Sequence, residues 1–260
     1  MASRRKRASP RILGPYLRRI TSIAERVDPG RYPFNIAAFS RGIDLTITSN
    51  VTFFVGENGS GKSTLLEAIA EDSGFNPQGG GRDHQVAGHR DRSDLASALQ
   101  LSWSLKVTDG FFMRAESFYN FATYIEESGS KFERYGGRRL HDQSHGESFL
   151  ALFSNRFDRG IYILDEPEAA LSPQRQLSLL SIIHQLETTG RAQFLVSTHS
   201  PIILAYPGAI LLSLDGKEIR QVQYTDTDHY RVTTKQFLAS PERYFRHLFS
   251  EVPDDDEEES

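Results

Sequence analysis

Cysteine is absent from all 260 residues. That excludes structural disulfides and thiolate metal sites and is compatible with a reducing cytosol. Long apolar runs are missing as well. No segment approaches the roughly 18 residues needed to cross a bilayer, and the longest candidates, residues 161–164 and 209–214, read as buried strands. There is no excess of one charge either: 30 basic against 34 acidic side chains leave a formal −4, which gives no global electrostatic case for nucleic acid. The basic start lacks an apolar h-region, so no secretory signal is predicted. These absences point to a cytoplasmic protein without membrane insertion, long enough to bury a full core.

What charge there is collects at the ends. Arg4, Arg5, Lys6, Arg7 and Arg11 crowd the start, and residues 254–259 form an unbroken acidic run. Residues 1–12 and 251–260 are expected to be disordered, solvated tails around one domain over 13–250. The basic arm leaves nucleic-acid or membrane-surface contact open, as an alternative to a plain solvated tail.

The most informative stretch is V-T-F-F-V-G-E-N-G-S-G-K-S-T-L-L-E-A-I, residues 51–69. A β-branched and aromatic run leads into a glycine-rich loop and then into a helix-forming sequence. The loop fits G-x-x-x-x-G-K-[ST], the phosphate-cradling P-loop. Gly56, Glu57, Asn58, Gly59, Ser60 and Gly61 would turn successive N–H groups inward as an anion nest, with the helix N-terminus at Lys62–Ser63–Thr64 adding partial positive charge. Lys62 would reach the β and γ phosphates, and the Ser63 hydroxyl would ligate Mg²⁺. These residues predict a nucleoside triphosphate site.

Alternating Ile43, Leu45 and Ile47 predict a half-exposed strand upstream, and residues before Val51 an antiparallel layer. Residues 95–127 read as strand then helix without definable bounds. Farther on, Ser172-Pro173 is a helix start, with Leu177, Leu180, Ile183 and Leu186 as its apolar stripe. Residues 194–196 read as the next parallel strand, Ser200-Pro201 as another helix start and Asp215-Gly216 as a hairpin turn. Strand–helix alternation around a P-loop predicts an α/β fold, a mainly parallel sheet flanked by helices.

In I-Y-I-L-D-E-P-E-A-A-L, residues 161–171, two acids end an apolar strand, the place where open α/β sheets bind ligands. Asp165 suits a Mg²⁺-holding role. Glu166 suits polarisation of the attacking water, with Glu168 the next candidate. His199, in V-S-T-H-S-P, lies just beyond the following strand, where a neutral imidazole can hydrogen-bond the γ phosphate or the water.

With G-E-N-G-S-G-K-S-T, L-D-E-P-E-A-A-L-S-P and S-T-H-S-P in this order, the chain resembles the ABC-type ATPase superfamily. The resemblance implies that S-H-G-E-S, residues 144–148, stands where that family carries L-S-G-G-Q. Ser144 and Gly146 match it, while His145 and Glu147 depart from Gly and Gln. It further implies that this segment touches the γ phosphate bound by a second subunit, that Ala170 and Leu171 fall in a loop crossing the dimer interface, and that ATP with Mg²⁺ drives homodimerisation. More narrowly, G-F-F-M-R-A-E-S-F, Q-S-H-G-E-S-F-L and L-D-E-P-E-A-A-L-S-P-Q-R-Q look like small bacterial ATPases described as AAA-type or ABC-like. The metal-sensing glutamine of transporter subunits is replaced by Arg114 and Glu116 in the comparable stretch, with Gln100 as an alternative. Tyr32 is either an adenine-stacking residue or a partly buried core tyrosine. The expected activity is ATP hydrolysis by a dimerisation switch acting on an unidentified protein partner. The alternatives are a transporter's nucleotide-binding subunit and a DNA-associated genome-maintenance or defence ATPase.

Overall fold

Val51 to Val55 is buried at every position, the signature of a strand covered on both faces of a parallel sheet. In the computed structural model, which describes residues 15–77, 79–82, 92–115 and 145–250, this segment is β3 (Val51–Val55) at the heart of a six-stranded sheet. The sheet runs β5 (Gly110–Arg114), β6 (Gly160–Asp165), β7 (Ala192–Ser197), β3, β8 (Ile210–Ser213), β9 (Arg220–Val222). Every pairing is parallel except β8 with β9. A second, antiparallel sheet orders β2 (Asp44–Thr46), β1 (Leu17–Ser22), β4 (Leu99–Trp103). The mainly parallel sheet and its antiparallel companion thus agree with the sequence pattern.

The register sets the site. Asp165 pairs with Arg114 on one side and Ser197 on the other, and Ser197 pairs with Phe54. Parallel strands carry their carboxyl ends to one edge, so the residues that follow β3, β6 and β7 emerge there together.

Period-two alternation divides the core. Val51, Phe53 and Val55 face a cluster with Phe149, Leu152 and Phe153 of α3 (His145–Arg156) and Leu179 and Ile183 of α4 (Pro173–Thr188). Phe54 points the other way, to Leu65, Leu66 and Ile69 of α1 (Lys62–Asp72) and to Leu17, Ile20 and Leu45 of the antiparallel sheet. An aromatic chain ties α3 to the parallel sheet: Phe149–Phe153 at 4.8 Å, Phe153–Phe157 at 4.2 Å, Phe157–Tyr162 at 3.9 Å and Tyr162–Phe194 at 5.3 Å between ring centroids. Offset pairs of this kind add about 0.5–1.5 kcal/mol each beyond burial.

Gln193 joins the two sheets. Its buried amide accepts from Leu17 N at 2.8 Å and donates to Leu17 O at 3.0 Å, so both backbone polar groups of Leu17 are satisfied.

Two expectations need correction. The α4 stripe is phased on Leu179 and Ile183, while Leu177 is 51% exposed; apolar residues at both phases made the stripe ambiguous. After residue 92 the order is a short helix, α2 (Asp94–Ala98), then β4 and β5, with Ser93 Oγ accepting from Ala96 N as its cap. The expected helix over the rest of 95–127, the two tails, Glu116 and Ser144 lie outside the described residues. Beyond β7 come α5 (Pro201–Leu204), the π-helical α6 (His229–Phe237) and α7 (Pro241–Ser250). Among the described residues no helix is long and apolar enough to cross a membrane.

Candidate nucleotide site

The loop between β3 and α1 has the backbone its glycines foretell. Gly56, Gly59 and Gly61 have φ of 148°, 81° and 100°. At Gly61 a Cβ would also meet the Phe39 ring at 2.7 Å, so space and conformation both exclude a larger residue. Lys62 is 4% exposed and donates to Gly56 O at 2.8 Å and Glu57 O at 3.0 Å. Burial lowers its pKa, opposed by Glu166, Asp215, Asp165 and Glu57. Ser60 Oγ is buried with no hydrogen-bond partner, as a loop shaped to surround an anion would leave a donor. Glu57, Asn58 and Gly59 are exposed at the loop tip, while Ser63 and Thr64 are partly buried in the first turn of α1.

Asp165 closes the far side. Its Oδ1 accepts from Ser63 Oγ at 3.1 Å and Ser197 Oγ at 2.5 Å, and Arg114 Nε lies 3.3 Å from Oδ2. Arg114 also pairs with Glu67 of α1, whose pKa is raised chiefly by burial. Hard oxygens from Ser63 and Asp165, side by side at a phosphate-sized loop, fit Mg²⁺. Arg114 is the cation already present on the other Asp165 oxygen.

Glu166 follows directly on Asp165 at the end of β6. It has φ 49°, the one positive φ at a non-glycine among the described residues, a conformation costing roughly 1–2 kcal/mol for an L-residue. Its N–H is held by Ser197 O at 3.1 Å. This sharp turn follows Asp165 and separates the directions of the two carboxylates. Glu166 Oε1 lies 3.6 Å from His199 Nε2. His199 N donates to Glu168 Oε1 at 2.5 Å, and His199 Nδ1 lies 3.0 Å from His229 Nε2. Burial, then Lys62, lowers the His199 pKa, and burial raises that of Glu168. Glu168 therefore braces the His199 backbone.

The structure thus brings together Lys62, Ser63, Asp165, Glu166 and His199. Gly146 is buried in the first turn of α3, where a Cβ would meet Arg175 Cδ at 2.7 Å, and Arg175 pairs with Glu147 at 3.1 Å. Tyr32 is 63% exposed, with its hydroxyl 3.3 Å from Thr64 Oγ1. It is a surface residue beside the loop and not a core tyrosine. Three participants escaped sequence reasoning. Asp215 Oδ1 accepts from Glu57 N at 2.8 Å, Ser197 grips Asp165, and His229 meets His199. Only Ser197 had a local signal, two residues before His199 in the same motif.

The family described as "AAA domain, putative AbiEii toxin, Type IV TA system" matches residues 90–205, and an AAA domain family matches residues 34–71. The ribose import ATP-binding protein RbsA of Yersinia pestis is 26% identical over 204 residues, covering 69% of this chain and 39% of that protein. The chain therefore spans about two-fifths of that relative's length. The zinc import ATP-binding protein ZnuC of Vibrio cholerae is 29% identical over 172 residues, 63% of each chain. Among solved structures, the SMC head domain from Thermotoga maritima superposes with a TM-score of 0.45 at 14% identity, covering 80% of this chain and 99% of that one. The chain is thus similar in sequence to AAA domains and to ATP-binding import proteins, and its P-loop on a mainly parallel sheet is what such nucleotide-binding proteins carry.

Proposed function

We propose that the chain binds ATP with Mg²⁺ and hydrolyses it to ADP and phosphate, working as a cytoplasmic switch that dimerises on ATP. The observation that carries this reading is the meeting at one sheet edge of Ser63 Oγ with Asp165 (3.1 Å) and of Glu166 with His199 (3.6 Å), beside Lys62.

In this reading the N–H groups of residues 56–64 and the Lys62 ammonium bind the β and γ phosphates. Lys62 exchanges its carbonyl partners Gly56 O and Glu57 O for phosphate oxygens. Ser63 and Asp165 would hold Mg²⁺, which when bound supplies charge neutralisation on the phosphate oxygens. Glu166 accepts a hydrogen bond from water and aligns it with the γ phosphorus. The water O–P bond forms as the bond to the β,γ-bridging oxygen breaks. The water proton passes to Glu166, and the bridging oxygen leaves with ADP. His199 Nε2–H donates to the γ phosphate, whose charge is spread over its outer oxygens. Ser144 and Gly146 of a second copy would complete each site, which makes the isolated subunit slow. Tyr32, exposed beside Thr64, is positioned to cover the base.

A second reading, the nucleotide subunit of an importer, draws on the printed roles of the two import relatives. It has to accommodate Arg114 where transporter subunits place a glutamine.

Lys62→Ala tests the main reading. The variant should lose ATP binding in a nucleotide titration and keep the wild-type melt without nucleotide, since the amine serves the loop and not the core. Wild-type affinity with a normal melt would contradict the assignment.

A further inference from the structure

His199 has two ring nitrogens, and the proposed chemistry needs a proton on one of them. Nε2 is buried, has no hydrogen-bond partner and lies 3.6 Å from Glu166 Oε1. Nδ1 lies 3.0 Å from His229 Nε2, and the rings are tilted 46° with centroids 5.2 Å apart. Between two neutral imidazoles at that distance one nitrogen donates and the other accepts.

The two arrangements differ in consequence. If His199 Nδ1 donated, its Nε2 lone pair would face the Glu166 carboxylate, acceptor against acceptor. If His229 Nε2 donates, His199 carries its proton on Nε2 and offers it to Glu166, or to a phosphate oxygen in the same space. The second arrangement is electrostatically favoured. The His199 main chain is already held, since its N–H is bound by Glu168. One remaining contact therefore decides tautomer and ring orientation together, and in histidine sites the hydrogen bond at one nitrogen sets the role of the other.

We infer that His229 is the positioning residue of the site, donating from Nε2 to His199 Nδ1 so that His199 presents Nε2–H to the γ phosphate. This rests on the ATPase reading above. His229 opens α6, 30 residues beyond His199, and α6 packs against α5 and α7. The donor is thus supplied by the C-terminal part of the chain, outside the strand-end motifs.

The experiment uses the full chain, ¹⁵N-labelled at histidine, with wild type, His229→Leu and His229→Gln, and His199→Ala to identify the His199 signals. Wild-type His199 should show a protonated Nε2 and a bare Nδ1. His229→Leu should lose that single tautomer and lower kcat by between about 10- and 100-fold, the scale of losing an orienting partner, with ATP affinity retained. His229→Gln, whose amide N–H can stand where Nε2–H stood, should recover most of the rate and the tautomer. A wild-type His199 protonated on Nδ1 would overturn the inference, and so would an unchanged tautomer and kcat in His229→Leu. In both of those cases wild-type hydrolysis leaves the ATPase reading intact, whereas no hydrolysis by the wild type overturns both. Should His229→Leu fail to fold, the wild-type spectrum and His229→Gln still decide.

Discussion

The two sides of the proposed phosphate site, one assigned to metal and one to water, are built differently. On the metal side Asp165 is 5% exposed and engaged by Ser63, Ser197 and Arg114, with Glu67 behind the arginine. On the water side the Glu166 and His199 side chains are 42% and 32% exposed, Nε2 of His199 lacks a hydrogen-bond partner, and the backbone at Glu166 is left-handed. A buried carboxylate has to be neutralised in place, so the metal side is tightly bonded. A group that must meet water and a changing phosphate keeps bonding capacity in reserve, and the water side does so. Backbone strain at the second side is a feature that clusters at functional positions.

The largest effect that would break this contrast is at Arg114. Arg114→Ala leaves Glu67 and buried Asp165 without their shared cation, and losing one partner of a buried pair costs about 3–5 kcal/mol. The half-buried setting of Glu67 and Arg114 puts the expected loss at the low end. The same loss removes a cation that competes for Asp165, so the variant should gain more thermal stability from ATP–Mg²⁺ than wild type does. Differential scanning calorimetry with and without ATP–Mg²⁺ checks both parts. Equal melts would mean the ion pairs are decorative.

A smaller effect separates the two sides by pH. Burial lowers the pKa of both His199 and His229, so the folded state binds fewer protons than the unfolded chain just below about pH 6.5. Their contribution is present above that pH and declines as pH falls, by at most about 1.4 kcal/mol per unit for each group, and less at these half-exposed rings. Lys62, Glu57, Glu166, Asp165 and Asp215 surround the pair. The partly buried carboxyls Glu67 and Glu168 act with the opposite sign at lower pH, because their raised pKa values favour protonation in the fold. Melts from pH 7.5 to 5.5 should fall more steeply for wild type than for His229→Gln. Parallel curves would remove the histidine pair from the balance.

The smallest effect is at the rim. Tyr32 touches the site through one long hydroxyl contact to Thr64. Tyr32→Ala should weaken ATP binding by about 5-fold, the worth of roughly 1 kcal/mol of ring contact, with kcat unchanged. Isothermal titration with ATP and with inorganic triphosphate separates base contact from phosphate contact, and equal losses for both would exclude stacking.

The parts of the molecule readable in sequence are those whose determinants are adjacent in the chain. The P-loop announces itself because strand, glycines and helix follow one another within residues 51–69, and Asp165, Glu166 and His199 are legible as polar residues ending apolar strands. Arg114 on Asp165, Asp215 under Glu57 and His229 on His199 are not, since each pairing spans 30 residues or more and depends on strand order and on where the C-terminal helices pack. Gln193, the second residue of β7, looks out of place in a buried strand until its hydrogen bonds to Leu17 of β1 are seen. Leu177 misled because helical periodicity fixes a stripe but not which of two overlapping stripes is covered.

The central claim, that Glu166 orients the attacking water at a phosphate site assembled by its neighbours, is tested most directly by single-turnover hydrolysis in Glu166→Gln. The amide keeps the shape and removes the charge. The account predicts ATP–Mg²⁺ affinity within about 3-fold of wild type, a hydrolysis rate lower by roughly 10²-fold or more, and ATP-bound dimers accumulating in light scattering. A wild-type rate in this variant would contradict it and move the water-activating role away from Glu166.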